Sequence, residues 1–391
     1  MGIPAGGQNA KSGTFAYDLQ FLLRQDDSLI ILQASNAKVI VSPKYQAKVF
    51  TSTNMGDSGK SFGWVHYKAF EGPTNPHMNA YGGENRLWLG PEGGKYSLFF
   101  PPGAKMEFAN WETPAAFDTE PWTVTVHTDK SVTLQKSFQL TNYAGTSLQL
   151  SVNRTIRLLI DSADMETRMM GELWGHLGPD SVKMVAYETE NILTNTGNFP
   201  WTETTGMPCL WVLDMFPPSP STTIVIPYHG GEGSPATTDY FGIIPPDRVK
   251  MDGKVLYFKT DGHQRGKLGI HPTRALSAAG SYDSEHGVLT IIRFDIDSNA
   301  RYLNQEWSTV KPSFSGDAVN AYNDGPLAAG TQMGPFYELE SVSPAAFLDP
   351  GASQSHRHIV MHFTGPSAGL NRICRQFLGV SLATVEGVFA K

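Results

Sequence analysis

From Thr14 the chain opens with apolar residues at helical spacing, Phe15, Leu19, Leu22 and Leu23 within FAYDLQFLLRQ, and this predicts a short amphipathic N-terminal helix. Beyond it the apolar period shortens to two, or to brief apolar runs, and stays there for most of the chain. Strands are predicted at 29–32, 38–42, 122–127, 132–140, 148–159, 222–227, 255–259, 288–295 and 358–363. Val, Ile, Thr, Tyr and Phe dominate these stretches, as a pleated surface favours. In Trp122-Thr123-Val124-Thr125-Val126-His127 the larger apolar groups share one face and the threonines the other, which predicts a half-buried antiparallel strand. Helical spacing returns at Leu370, Ile373, Cys374, Phe377 and Leu378, so a short closing helix is expected.

The connections are rich in turn formers: Gly82-Gly83, Gly93-Gly94, Pro101-Pro102-Gly103, Asp252-Gly253, Asp324-Gly325-Pro326 and Asp349-Pro350-Gly351. Strands follow strands without the intervening helices of a parallel-sheet enzyme. No linker, repeat or low-complexity stretch interrupts them. The expectation is a loose tail over 1–13 and one all-β, mainly antiparallel domain over 14–391, with short terminal helices.

Composition narrows the function classes. With 40% hydrophobic and 17% charged residues the chain can bury a large core and is not disordered. A formal charge of −7 argues against a nucleic-acid surface, which needs clustered Lys and Arg. No apolar run approaches the roughly 18–20 residues of a membrane-spanning helix. Met1 to Gly13 is polar and Gly-rich, without the apolar region of a secretory leader. A periplasmic or secreted location is expected, with any leader absent from this chain. Cys209 and Cys374 are too few for a disulfide framework and read as two buried small side chains.

Three groups of residues could carry chemistry. In Tyr81-Gly82-Gly83-Glu84-Asn85-Arg86-Leu87-Trp88-Leu89-Gly90-Pro91-Glu92-Gly93-Gly94, glycine pairs flank two acids, an arginine and a tryptophan. Charged planar groups hold vicinal hydroxyls and an aromatic face covers an apolar ring face, so Glu84, Arg86, Trp88 and Glu92 are candidate sugar contacts. In Tyr337-Glu338-Leu339-Glu340-Ser341-Val342 a strand would set Glu338 and Glu340 on one face, roughly 6.5–7 Å apart along the strand. Their repulsion and burial would raise at least one pKa, which suits a general acid or base. Among the histidines, His271 after a glycine-bounded strand is the candidate acid, while His356 and His358 would share a strand face. No third ligand stands at a recognisable spacing, so no metal site is predicted. No nucleotide-binding or hydrolase motif is present and no cofactor is expected. Trp111, Trp122 and Trp211 read as core; Trp201, in a turn-rich segment, is a candidate sugar platform.

Three of these segments resemble a known family. Leu339-Glu340-Ser341, followed by Pro344 and Pro350-Gly351, is similar to the C-terminal stretch of aldose 1-epimerases. There a Leu-Glu-Thr-Gln strand carries the base and a Pro-Gly-Glu turn leads to the last strand. Gly83 to Glu92 resembles the arginine segment of relatives with a Gly-Gly-x-x-Leu-Trp-x-x-Pro-Glu pattern. Asn191-Ile192-Leu193-Thr194-Asn195-Thr196 resembles the family's Leu-Thr-Asn-His segment. The motifs are short and cover about a tenth of the chain, but their order agrees. The resemblance implies a galactose mutarotase-like β-super-sandwich of a bacterial branch, with Glu340 as base and Arg86 and Asn195 on the sugar. Thr196 departs from the pattern, standing where epimerases carry their acid histidine. A threonine hydroxyl is no general acid near neutral pH, so His271 or Glu338 would have to substitute.

Two functions of different class follow. One is a carbohydrate-active enzyme, an aldose epimerase-like isomerase or, less favoured, a glycoside hydrolase using paired carboxylates. The other is a non-catalytic sugar-binding protein that keeps the cleft and lacks the acid. Either takes a carbohydrate as partner; the oligomeric state stays open.

Overall fold

In a computed structural model that describes residues 10–159, 182–327 and 330–390, the β-branched and aromatic stretches pair into three antiparallel sheets. Residues 1–9 of the expected tail, and Lys391, lie outside that range. The small sheet joins β1 (Ile30–Ala34), β2 (Ala37–Ser42) and β3 (Lys48–Thr53) in sequence order. Helix α1 (Phe15–Leu23) covers one face of it, where Phe15 and Leu22 pack on Ile40 and Phe50.

The large sheet begins with β12 (Val249–Asp252), β13 (Val255–Lys259), β10 (Thr222–Pro227), β15 (Ala278–Asp283) and β16 (Val288–Phe294). It continues through β19 (Ser353–Thr364), β8 (Lys183–Asn195), β7 (Ser147–Leu158), β6 (Ser131–Thr141) and β5 (Thr123–His127). The third sheet has the order β11 (Ala236–Thr237), β14 (Gly266–Ile270), β17 (Val319–Asn323), β18 (Tyr337–Val342), β9 (Cys209–Phe216) and β4 (Arg86–Gly90).

Three layers of packing follow. Leu87, Leu89, Val212, Leu339, Ala321 and Leu268 of the six-stranded sheet meet Val152, Leu193, Ile224, Phe258, Ile292 and Val360 of the ten-stranded sheet in one hydrophobic cluster. The opposite face of the ten-stranded sheet is closed by α2 (Ser367–Leu378) and α3 (Leu382–Gly387), through Leu370, Ile373, Cys374, Leu378, Leu382 and Val385. Gly379 ends α2 in the left-handed conformation at φ 74°, which a side chain would strain. Cys209 and Cys374 are both buried and free. No helix among the described residues is long and apolar enough to cross a membrane.

One expectation fails locally. The alternation in residues 122–127 predicts a half-buried strand, yet every residue of β5 is exposed and only Trp122 is buried. β5 is the last strand of its sheet and no layer among the described residues covers either face there, so Val124 and Val126 are exposed. Alternation marks a strand's two faces; it does not supply the layer that would bury one.

Candidate functional site

The uncovered face of the six-stranded sheet holds a cleft, and strand register assembles its floor. On β4, Leu87 and Leu89 turn to the core, which sends Arg86 and Trp88 to the other side. Arg86 stands opposite Leu213 of β9, and Trp88 opposite Trp211. Leu213 is next to Glu340 of β18, and Met215 next to Glu338. Glu338 is then next to Tyr322 of β17, which is next to Lys267 of β14. Two carboxylates, two cations, a phenol and two indoles thus share one sheet face through the two-residue period of their strands.

The charged groups pair across it. Arg86 Nη2 donates to Glu338 Oε1 at 2.5 Å, and its guanidinium lies 5.0 Å from the centre of the Trp88 ring. Lys267 Nζ donates to Glu340 Oε2 at 2.9 Å, and Trp211 Nε1 donates to the same oxygen at 2.9 Å. Burial pushes the Glu338 carboxyl up to about 7; Arg86 pulls against this, and Glu340 reinforces it. Burial alone would lower Lys267, but Glu340, Glu92 and Glu338 outweigh it and hold the ammonium above its ordinary value.

Loops build the walls. Glu92 follows β4, its backbone N–H held by Gln305 Oε1 at 2.6 Å, and its carboxylate accepts from Trp307 Nε1 at 3.0 Å. Gly93 allows that approach, since a Cβ there would stand 2.1 Å from the Glu306 carbonyl oxygen. Burial raises the Glu92 carboxyl too, against the pull of Lys267 and the Trp307 hydrogen bond. Trp111 lies between Phe99 (5.8 Å, 9° between planes) and Trp307 (5.9 Å, 26°), making an aromatic wall beside the charged floor. Opposite it, Arg265 rests 3.8 Å above the Phe241 ring and donates from Nε to the Tyr322 hydroxyl at 3.2 Å. Two adjoining compartments of about 120 and 260 Å³ share Glu92, Phe241, Arg265, Lys267 and Trp307 in their lining.

Arg86, Trp88, Glu92 and Glu338, all expected from the sequence, line this cleft. Glu340 is on the same strand face but lies behind Lys267 and Trp211, fully buried, and is not part of the lining. Four other candidates lie elsewhere. Glu84 is buried in the turn before β4, accepting from Ser52 Oγ at 2.7 Å and facing His362 Nε2 at 3.1 Å. Asn195 closes β8 of the other sheet, where its amide donates to the Phe199 and Leu348 carbonyls, each at 2.9 Å, and fixes a loop. The neighbouring Thr196 is exposed there, so the Thr-Asn segment is remote from the charged floor. Trp201 is buried beneath that loop, its backbone N–H bonded to Leu348. His271 follows β14 on the surface, with Nδ1 against Thr273 Oγ1 at 2.9 Å.

The sequence reading missed Lys267, Arg265 and Trp307; Trp111 and Trp211, read as core, are buried in the main hydrophobic cluster and also line the cleft. A signal existed for the first: Lys267 sits in Gly-Lys-Leu-Gly-Ile, a strand buried along its whole length, where a lone cation needs a partner. Nothing local marks Trp307, which reaches the cleft because Gln305 clamps its loop to the loop after β4. Among the described residues no cluster of three His, Cys, Asp or Glu side chains is placed to hold a metal ion.

The fold is a galactose mutarotase-like β-super-sandwich, built of stacked antiparallel sheets with a charged, aromatic cleft on one of them. The chain belongs to a family of unknown function, DUF6786, whose profile matches residues 13–389. No curated protein matches its sequence significantly. The solved structure of the Slr1438 protein from Synechocystis is similar over 86% of this chain and 96% of its own, at 13% identity and a TM-score of 0.51. A galactose mutarotase-like protein from Clostridium acetobutylicum aligns over 86% of this chain and 95% of its own, at 11% identity and a TM-score of 0.48. Another, from Lactobacillus casei, aligns over 86% and 100%, at 12% identity and a TM-score of 0.46.

Proposed function

We propose that this cleft binds a carbohydrate, and that Glu338 is the group positioned to exchange a proton with it. The observation that carries the reading is the meeting of the Arg86–Glu338 pair with Lys267 and the half-buried Trp307, backed by Trp88 and Trp111, in one concavity. A sugar needs that combination: its hydroxyls take charge-assisted hydrogen bonds, and the C–H face of its ring covers an aromatic side chain. Glu338 is favoured over Glu340 as acid or base because it lines the cleft and its carboxyl is raised to about 7, where both protonation states are populated near neutral pH. Glu340 anchors Lys267 and Trp211 from behind. With Thr196 and His271 both outside, Glu92 is the second titrating group of the lining.

The second reading is a binding protein without turnover. It is favoured by one observation, that no histidine lines the two compartments beside Glu338. A panel of monosaccharides and short oligosaccharides, followed by NMR in one tube, separates the two. Saturation transfer reports binding and the anomeric protons report chemistry. Accelerated anomer exchange or bond cleavage that falls at least about a hundredfold in Glu338→Gln establishes acid–base catalysis, the scale expected for such a group. Binding with no change over days establishes the carrier or sensor. Silence across the panel overturns both.

A further inference from the structure

Beyond the two compartments at Lys267 and Trp307, the cleft does not end. Past Phe108, Arg265 and Tyr322 it opens into a third compartment of about 580 Å³, and the same three side chains line its near wall. Trp111, Met78 and Met333 are also common to both sides, so the two spaces adjoin. The far compartment alone falls within the roughly 300–1,000 Å³ that holds a drug-sized ligand, and it exceeds either of the near ones.

Its walls repeat the chemistry of the near end. His66 binds the Ala80 carbonyl through Nδ1 at 3.0 Å, which turns its other nitrogen outward, and its ring stacks on Trp64. Gln332 donates to the Gly262 carbonyl at 2.9 Å and keeps its own carbonyl unused by any protein donor among the described residues. Lys68 is exposed and has no carboxylate partner among the described residues. Asp324 stands at the back, accepting from the Tyr322 hydroxyl at 2.9 Å. At the boundary, Phe108 is 61% exposed although its ring stacks on Trp111 (6.1 Å, 21° between planes). Its ring also lies 4.6 Å from that of His77, tilted by 34°, and the part left exposed where the two hollows meet is a surface that a ring can cover.

We infer that the cleft takes a carbohydrate chain of at least two residues, one ring at Glu338, Lys267 and Trp307 and the next across Phe108 against His66, Lys68 and Gln332. This rests on the reading of the near end as a carbohydrate site. It adds the length of the ligand and a second set of contacts. The far compartment is larger than both near ones together, so a single ring at the near end leaves most of the cleft unfilled.

The test is a matched series on the full chain by isothermal titration: glucose, xylose, mannose and galactose, each with its β-1,4-linked di-, tri- and tetrasaccharides. In the series that binds, the disaccharide is expected to bind at least about tenfold tighter than its monosaccharide, or to bind where the monomer does not. Lys68→Ala and Gln332→Ala alter exposed side chains and should leave the fold intact. Together they should bring the disaccharide back toward the monosaccharide's affinity without changing the latter. A monosaccharide that binds as tightly as its oligomers overturns the inference and leaves the carbohydrate reading standing. A double variant that weakens monomer and oligomer equally also overturns it. If nothing in any series binds, both fall.

Discussion

One sheet presents two polar faces, and they behave differently. On the cleft side Glu338 spends one oxygen on Arg86, and Lys267 is shared between Glu340 and the Trp211 ring. On the core side, alternate residues of the same strands make a second network. Asp214 of β9 accepts from Asn85 at 2.6 Å and faces His358 Nε2 at 2.7 Å. The other nitrogen of His358 meets Ser341 Oγ at 2.8 Å, which also meets His356 Nε2 at 2.8 Å. Arg154 closes the group through Asn191 at 2.6 Å and through Asn85. Ser341, His358 and Asp214 have the connectivity of a nucleophile, base and orienting acid, yet all three are fully buried between two sheets. Connectivity is shared by both faces; access to a ligand belongs to one. The core network ties strands of the two sheets together, and the cleft set lines a cavity.

The sharpest way to break this contrast is Asp214→Ala. It leaves His358 and Asn85 without their acceptor in a dry core and removes a carboxylate charge that favours the buried Arg154 cation, so a loss of about 3–5 kcal/mol in denaturant unfolding is expected. Any ligand affinity of the fraction that remains folded should be unchanged. A loss below about 1 kcal/mol would show that the core network is not holding the sheets together.

Acid should act on the two faces in opposite directions. Burial, then the adjacent His358, pushes His356 from 6.5 down to about 3, so its contribution to stability is complete above 6.5 and is lost as pH falls toward 3. Glu338 is raised from 4.5 to about 7, so its contribution is complete below 4.5 and is lost as pH rises through 7. Stability against pH, measured for the native chain and for Glu338→Gln, should differ in slope between about 4.5 and 7. Parallel curves would mean that Glu338 titrates as an ordinary surface carboxylate.

Trp307→Ala is the converse and smallest perturbation of the fold. Stability should move by within about 1 kcal/mol, because Trp307 is only half-buried and sits on a loop. Carbohydrate affinity should fall by at least about tenfold through the lost ring face. Equal losses of stability and binding would make it a core residue after all.

Much of this was legible locally. The two terminal helices follow from spacings that α1 and α2 reproduce, and residues 222–227 and 255–259 coincide with β10 and β13. Two-residue periodicity correctly set Glu338 with Glu340 on a shared face. It did not say which carboxylate lines the cleft, because Lys267 and Trp211, which close off Glu340, are distant in sequence. The glycine pairs around Arg86 suggested a turn, whereas Arg86–Gly90 is a strand. Likeness of short segments misplaced Asn195, because a motif of a few residues does not reveal which sheet its strand joins.

By itself the sequence determined the class of the molecule and the faces of its strands, since steric preferences and apolar spacing act between residues that are close along the chain. Only tertiary structure decided which polar cluster became a cleft and which was sealed. That choice depends on what packs above each face. The ten-stranded sheet lies over Asp214 and Ser341 and supplies His358 from β19, while loops carrying Glu92, Phe108 and Trp307 rise beside Glu338 and leave a cleft there.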